Sequence, residues 1–340
     1  MEVVTEEKIP PCQILFIFGN GFDLSLNMKT SYYEVYETYV QNPSNSATIE
    51  AFKWDLANRK PFDKWADFET GMAQYARALS SEDEFIECIR DFKEHLANHL
   101  QEENDKIYHT MSKEENFFRV LYEWENAMEC FWHHVLTHNV KKQIRDLIKD
   151  KEVIYQFLTF NYTDSIEWIR IVQEGKFDNK HSKSLSNSPL HIHGQVLLDI
   201  VLGVDNPMQL SELPYVLSRK GKRAFIKPFF NEQYDEERVQ LAQQMIAEST
   251  IICTYGFSMG ETDKMWTDRL IQWLESDKRH HLIIFQYDTA SYNECNFDEM
   301  MDVEDEKKAL LAMRLGIRNE RLKNQIHIPI GHDIFNFDFS

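Results

Sequence analysis

The sequence has no Cys-x-x-Cys pair, and its five cysteines, Cys12, Cys88, Cys130, Cys253 and Cys295, are widely scattered. An odd, dispersed set of this kind builds neither a zinc ribbon nor a disulfide framework and reads as reduced thiols in a cytosol. Positive charge is scarce: 37 basic residues stand against 56 acidic ones, a formal net charge of −19. The resulting field repels nucleic acid and anionic lipid, so neither a nucleic-acid nor a membrane partner is expected. Basic residues gather only at Arg219, Lys220, Lys222 and Arg223, with Lys227 beyond. That segment (219–227) reads as a solvated loop or as a mobile loop that contacts an anion. No apolar run approaches the roughly 18 residues of a membrane span. Glu2, Glu6 and Glu7 stand where a secretory leader would carry basic residues, so the expected address is the cytoplasm. No Ser/Gly/Pro-rich segment is extensive enough to suggest wholesale disorder, and there is no internal repeat.

What is present suits a compact α/β protein. Hydrophobic residues make up 43% and aromatics 13% of the 340 residues, enough to bury a large core. Apolar runs rich in β-branched and aromatic residues occur at 14–18, 153–160, 190–193, 197–204, 251–255, 282–287 and 326–330. Several lack alternation, as strands covered on both faces should, which predicts a mostly parallel sheet between helical layers. Between the first two runs, Phe85, Ile89, Phe92, Leu96 and Leu100, then Leu121, Trp124, Met128, Phe131 and Val135, follow the helical period. Residues 30–150 are therefore read as a helical insertion in a single domain of 1–340, with Trp54, Trp65 and Trp124 in its core. The acidic stretch 296–305 reads as a loop or mobile lid.

Four constellations carry chemistry. Gly19-Asn20-Gly21-Phe22-Asp23 follows the first strand, where glycines permit close backbone approach and a helix start favours an anion. A dehydrogenase fingerprint needs a third glycine where Leu24 stands, so the segment is either a phosphate cradle or a tight turn. Asn161, in Phe160-Asn161-Tyr162-Thr163-Asp164, ends the second run and either faces a ligand beyond the sheet or, with Thr163, caps the following helix. His191 and His193 are two apart, so in a strand both would line one wall. They read as a general base with a structural partner, as a metal pair, or as core residues. Gly256-Phe257-Ser258-Met259-Gly260 matches the Gly-x-Ser-x-Gly pattern of a nucleophile elbow, and Asp288 and His332 follow in the order of a serine hydrolase. Against that reading, the helix is expected to begin only at 261–263.

Taken together, these segments resemble the bacterial abortive-infection AbiH family, a distant branch of the sirtuin-like (SIR2-like) proteins. The matching landmarks, in order, are Gly19-Asn20-Gly21-Phe22-Asp23, Trp65-Ala66-Asp67-Phe68-Glu69, Phe160-Asn161-Tyr162-Thr163, His191-Ile192-His193-Gly194, Leu202-Gly203-Val204-Asp205 and the run from Gly256 to Asp263. The resemblance implies a doubly wound sirtuin/Rossmann-like α/β sheet that binds NAD across its carboxyl edge, with NAD as substrate. It places Asn161 and His193 as catalytic residues. Gly19, Asn20, Gly21, Phe22, Asp23, Thr163, Gly256, Ser258 and Asp263 become nucleotide contacts, with Asp23 facing a ribose hydroxyl or capping a helix. The implied activity is hydrolysis of NAD to nicotinamide and ADP-ribose during abortive infection, restrained by homo-oligomerisation or by a phage-derived trigger. Three alternatives remain: the serine hydrolase, a non-catalytic NAD or ADP-ribose sensor, and a nuclease with a metal at His191, His193 and Asp205.

Overall fold

The computed structural model describes residues 10–58, 65–174, 188–210, 212–234, 236–286, 296–330, 334, 335, 337 and 339. Its frame is a six-stranded sheet of β1 (Cys12–Phe18), β2 (Val153–Thr159), β3 (Leu190–His191), β6 (Ile251–Tyr255), β7 (His281–Phe285) and β8 (Ile326–His327). The two remaining strands, β4 (Gly194–Gln195) and β5 (Asp199–Ile200), form a separate antiparallel ribbon. The sheet order is β3-β2-β1-β6-β7-β8, and every pair is parallel. From β1 the chain builds outward on one side, then returns to build on the other. That reversal between β1 and β6 is the switch point at which open α/β sheets form a ligand crevice.

The unbroken apolar runs follow from burial on both faces. In β1, Ile14, Phe16 and Phe18 pack into a core with Trp124, Phe157, Ile169 and Phe335. Leu15 and Ile17 point the other way, to Ala242, Leu270, Trp273 and Leu311. The first layer contains α6 (Glu114–Cys130) and α8 (Ser165–Glu174), and the second contains α11 (Glu236–Glu248), α12 (Lys264–Ser276) and α13 (Phe297–Arg314). Each large side chain removed from water contributes roughly 1.5–3 kcal/mol to this sandwich.

The helical insertion is present: α1 (Asn20–Ser25) leads into α2 (Tyr32–Gln41), α3 (Ala47–Asn58), α4 (Trp65–Tyr75), α5 (Glu82–Met111), α6 and α7 (His138–Ile148). Ser31 caps α2 in a reciprocal box with Glu34. Much of the insertion has a core of its own, built from Tyr39, Phe52, Phe68, Phe92 and Leu96. Val204 and Phe225 join this core from later in the chain, so a long-range contact ties the insertion to the segment after β5.

Several expectations need correction. The 197–204 run adds no strand to the six-stranded sheet: positive φ at Gly194 and Leu197 turns the chain into the ribbon, where only Asp199–Ile200 is strand, and Leu202 and Val204 are buried against insertion helices. The acidic stretch is no loop, because Asn296 caps α13 and Asp298 and Glu299 sit in its first turn, where the helix dipole favours negative charge. The basic segment is likewise helical, as α9 (Arg219–Phe225), capped by Ser218. Lys227 begins α10 (Lys227–Tyr234) and is buried rather than solvated. Trp124 is fully buried, but Trp54 is 70% exposed, and the side chain of Trp65 lies outside the described set. No described helix is long and apolar enough to cross a membrane.

Candidate active site at the carboxyl edge of the sheet

Strand register brings the motifs to one level. Phe18 stands opposite Thr159 and Tyr255, Thr159 opposite His191, and Tyr255 opposite Phe285. Gly19, Phe160, Ile192, Gly256 and Gln286 therefore leave the sheet along a common carboxyl edge. Above that edge lies a cleft of about 460 Å³, roofed by insertion residues including Tyr32, Glu69 and Leu100. Its volume is within the range of small-molecule sites, roughly 300–1,000 Å³.

The glycine turn proves to be a point of contact between backbones. A Cβ on Gly19 would stand 2.6 Å from the Gly256 carbonyl oxygen, and one on Gly256 would stand 2.4 Å from the Gly21 Cα. The amides are engaged too: Gly19 N–H donates to Tyr255 O, Gly21 N–H to Gly256 O and Phe22 N–H to Gly19 O. Of the amides expected to cradle a phosphate at 19–22, these three are therefore engaged within the protein. Phe22 does not line the cleft. Its ring is fully buried among Phe18, Trp124, Tyr255 and Phe335. Asn20 lines the cleft, with its Oδ1 accepting from the Thr30 hydroxyl at 2.8 Å.

Asp23 lies at the cleft floor, almost completely buried. Thr163 donates its hydroxyl to Oδ2 at 2.7 Å and Ser165 to Oδ1 at 2.8 Å, which ties α1 to the start of α8. Asp23 makes no helix cap. Burial pushes its carboxyl up to about 6, against the lowering effect of those hydroxyls.

Asn161 and His193 both line the cleft and are both buried. Asn161 Nδ2 makes no well-formed hydrogen bond among the described residues, although the amide is close enough to Asp23 to lower the pKa of its carboxyl. His191 turns elsewhere. Its strand ends there, the chain turns at Ile192 and His193, and the His191 Nδ1 lies 3.1 Å from the Asn161 carbonyl oxygen. A carbonyl only accepts, so Nδ1 carries the proton and His191 holds the Asn161 backbone in place. Burial lowers the His191 pKa, which keeps the ring neutral.

A charged cluster missing from the sequence-based reading supports His193. Its Nε2 lies 2.9 Å from Asp263 Oδ1, and the imidazole helps to hold that carboxylate charged. Buried Lys227 donates to the same oxygen at 3.1 Å and to the Thr262 carbonyl at 2.9 Å, and pairs with Glu69 at 3.2 Å. Glu69 Oε1 also accepts the Gly203 N–H. Burial works against charge on Asp263, but Lys227 and His193 outweigh it and hold the carboxyl well below its ordinary range. For Lys227, burial is outweighed by Asp263, Glu69 and Asp205, so it stays protonated. Glu69 lay within a family landmark without a role, and Lys227 gave no periodic or motif signal. Their pairing spans 158 positions.

The rival constellations do not assemble in this way. Asp205 Oδ2 accepts the Met265 N–H at the start of α12, and no group of three or more candidate ligands gathers for a metal among the described residues. Ser258 is exposed at the cleft, but the positive φ values in its loop fall on Gly256 and Met259, so Ser258 is not the strained residue of an elbow. Asp288 and His332 lie outside the described residues.

The fold defines a doubly wound α/β protein with a cleft at its switch point. The family described as Bacteriophage abortive infection AbiH matches residues 15–285, and the chain belongs to that family. No curated protein matches it.

Proposed function

We propose that this AbiH protein hydrolyses NAD to nicotinamide and ADP-ribose, and that loss of the dinucleotide is how it aborts phage infection. One observation carries the reading: the buried Asn161 amide and the His193 imidazole, held from behind by Asp263, line one cleft at the sheet switch point. A buried amide that makes no well-formed hydrogen bond, at such a place, is what a bound polar ligand completes.

The chemistry suits these groups. When the bond between the nicotinamide nitrogen and ribose C1′ breaks, its electron pair leaves with the ring, which departs neutral. No general acid is required, unlike ordinary glycoside hydrolysis. Asn161 orients the ribose hydroxyls or the attacking water, and His193 accepts the water proton, at the ring nitrogen that does not face Asp263, as oxygen bonds to C1′. Glu69 and Asp263 give this end of the cleft a negative character that favours the cationic ring and then the oxocarbenium charge. Lys227 and Asp263 act as positioning residues, fixing the imidazole.

Purified protein incubated with NAD, alone and with lysate from phage-infected cells, tests the proposal. Free nicotinamide that disappears in Asn161→Ala is expected. Intact NAD under both conditions, in a protein that still protects cells, would replace the hydrolase with a nucleotide sensor.

A further inference from the structure

The Gly19, Gly21 and Phe22 amides are taken up by internal bonds and do not serve a phosphate. The charged lining of the cleft is acidic: Asp23, Glu69 and Asp263, with His193 beside them. Lys227 lies behind this end, paired to Glu69 and Asp263. Arg314 is the exception. It is exposed, lines the cleft, and makes no ion pair or hydrogen bond among the described residues. It ends α13, beyond the residues matched by the family, so the resemblance assigns it nothing.

Its position is set by topology. Gln286, which also lines the cleft, follows β7, whereas Asn161 follows β2. Three strand spacings separate β2 from β7, or about 14 Å at about 4.8 Å each. Leu311, one helical turn before Arg314, packs in the same core as Ile284 of β7 and brings the end of α13 to that side. The cleft is thus polarised along its length, with carboxylates at the His193 end and a free guanidinium at the other. Exposed Ser258 and Gln286 add neutral hydrogen-bonding groups near the guanidinium end.

We infer that Arg314, with Ser258 and Gln286, forms a diphosphate subsite that fixes the direction of the substrate. The cationic ring lies toward Glu69 and Asp263, and the diphosphate lies toward Arg314. The ligand class is an extended nucleoside diphosphate ribose carrying positive charge at its reactive end. A planar guanidinium suits this task because it binds two phosphate oxygens at once and keeps its charge at any working pH. The inference rests on the cleft being a nucleotide site, as proposed above, but it can fail separately.

The test measures binding of ADP-ribose and of adenosine by calorimetry, using the full chain as wild type, Arg314→Gln and Arg314→Lys, and compares KM and kcat for NAD. Arg314→Gln should weaken ADP-ribose about tenfold or more, leave adenosine unchanged, and raise KM while kcat is kept. Arg314→Lys should recover part of the affinity. If wild type leaves NAD intact even with the infected-cell lysate while ADP-ribose binding depends on Arg314, the hydrolase reading falls and the subsite stands. Equal ADP-ribose affinity in wild type and Arg314→Gln overturns the subsite, whether or not NAD is cleaved. A lower melting temperature with unchanged affinity also overturns it and assigns Arg314 to the helix C-terminus.

Discussion

Gly256 lies against Gly21 so closely that a Cβ on Gly256 would stand 2.4 Å from the Gly21 Cα. The turns after β1 and β6 are locked together there, at the switch point, and the cleft floor is built on that contact. Gly256 also has a φ of 63°, a left-handed conformation that L side chains seldom adopt. Gly256→Ala meets both obstacles, and no flexible side chain is available to yield. It should cost at least about 2 kcal/mol, read as a lower denaturation midpoint.

Lys227 compensates Glu69 and Asp263 in a buried setting. Lys227→Met leaves those carboxylates without their cation and should cost about 3–5 kcal/mol in urea denaturation. Adding Glu69→Gln should recover part of the loss. A single variant as stable as wild type would show that the cluster is not held together by charge.

Asp23 gives stability a defined pH dependence. Burial raises its carboxyl from 3.8 to about 6, so the folded chain holds the proton more tightly than the unfolded chain. The associated stability is fully present below pH 3.8 and is lost as pH rises through about 6. Its size is on the order of 3 kcal/mol. Asp205, also raised to about 6 mainly by burial, acts with the same sign. Asp23→Asn should therefore flatten, without abolishing, the fall in stability across this window in denaturation at stepped pH.

His191 is expected to act through Asn161. Removing the Nδ1 donor in His191→Phe frees the Asn161 carbonyl, and even a small displacement of the amide should lower kcat for NAD about 10²-fold. KM should change little, and His191→Gln, which restores a donor, should recover part of the rate. Equal losses in both variants, matched by lost stability, would reduce His191 to a core residue.

Much of the frame was legible because β1, β2, β6 and β7 bury both faces and so carry unbroken apolar runs. The long helices α5 and α6 declared themselves by period. Short segments were harder to read. Residues 197–204 are apolar because they pack on the insertion, and burial against helices leaves the same mark as burial in a sheet. Charge counting also misread 296–305 and 219–227, since end charges and caps support helices there. At the site, Asn161, His193 and Gly256 were visible as motifs at strand ends. Phe22 was grouped with the glycines beside it, although its ring belongs to the core. The Lys227 pairing joins segments far apart in sequence, and nothing local to either partner announces it.

The central claim is that Asn161 and His193 direct water to ribose C1′. Purified wild type, Asn161→Ala and His193→Ala, supplied with NAD in ¹⁸O-water together with the infected-cell lysate, can be followed by mass spectrometry. The account predicts nicotinamide and ADP-ribose in equal amounts from wild type, with one ¹⁸O on the ribose product, and neither above background from the variants. Nicotinamide release that persists in both variants, or intact NAD with wild type, would contradict it.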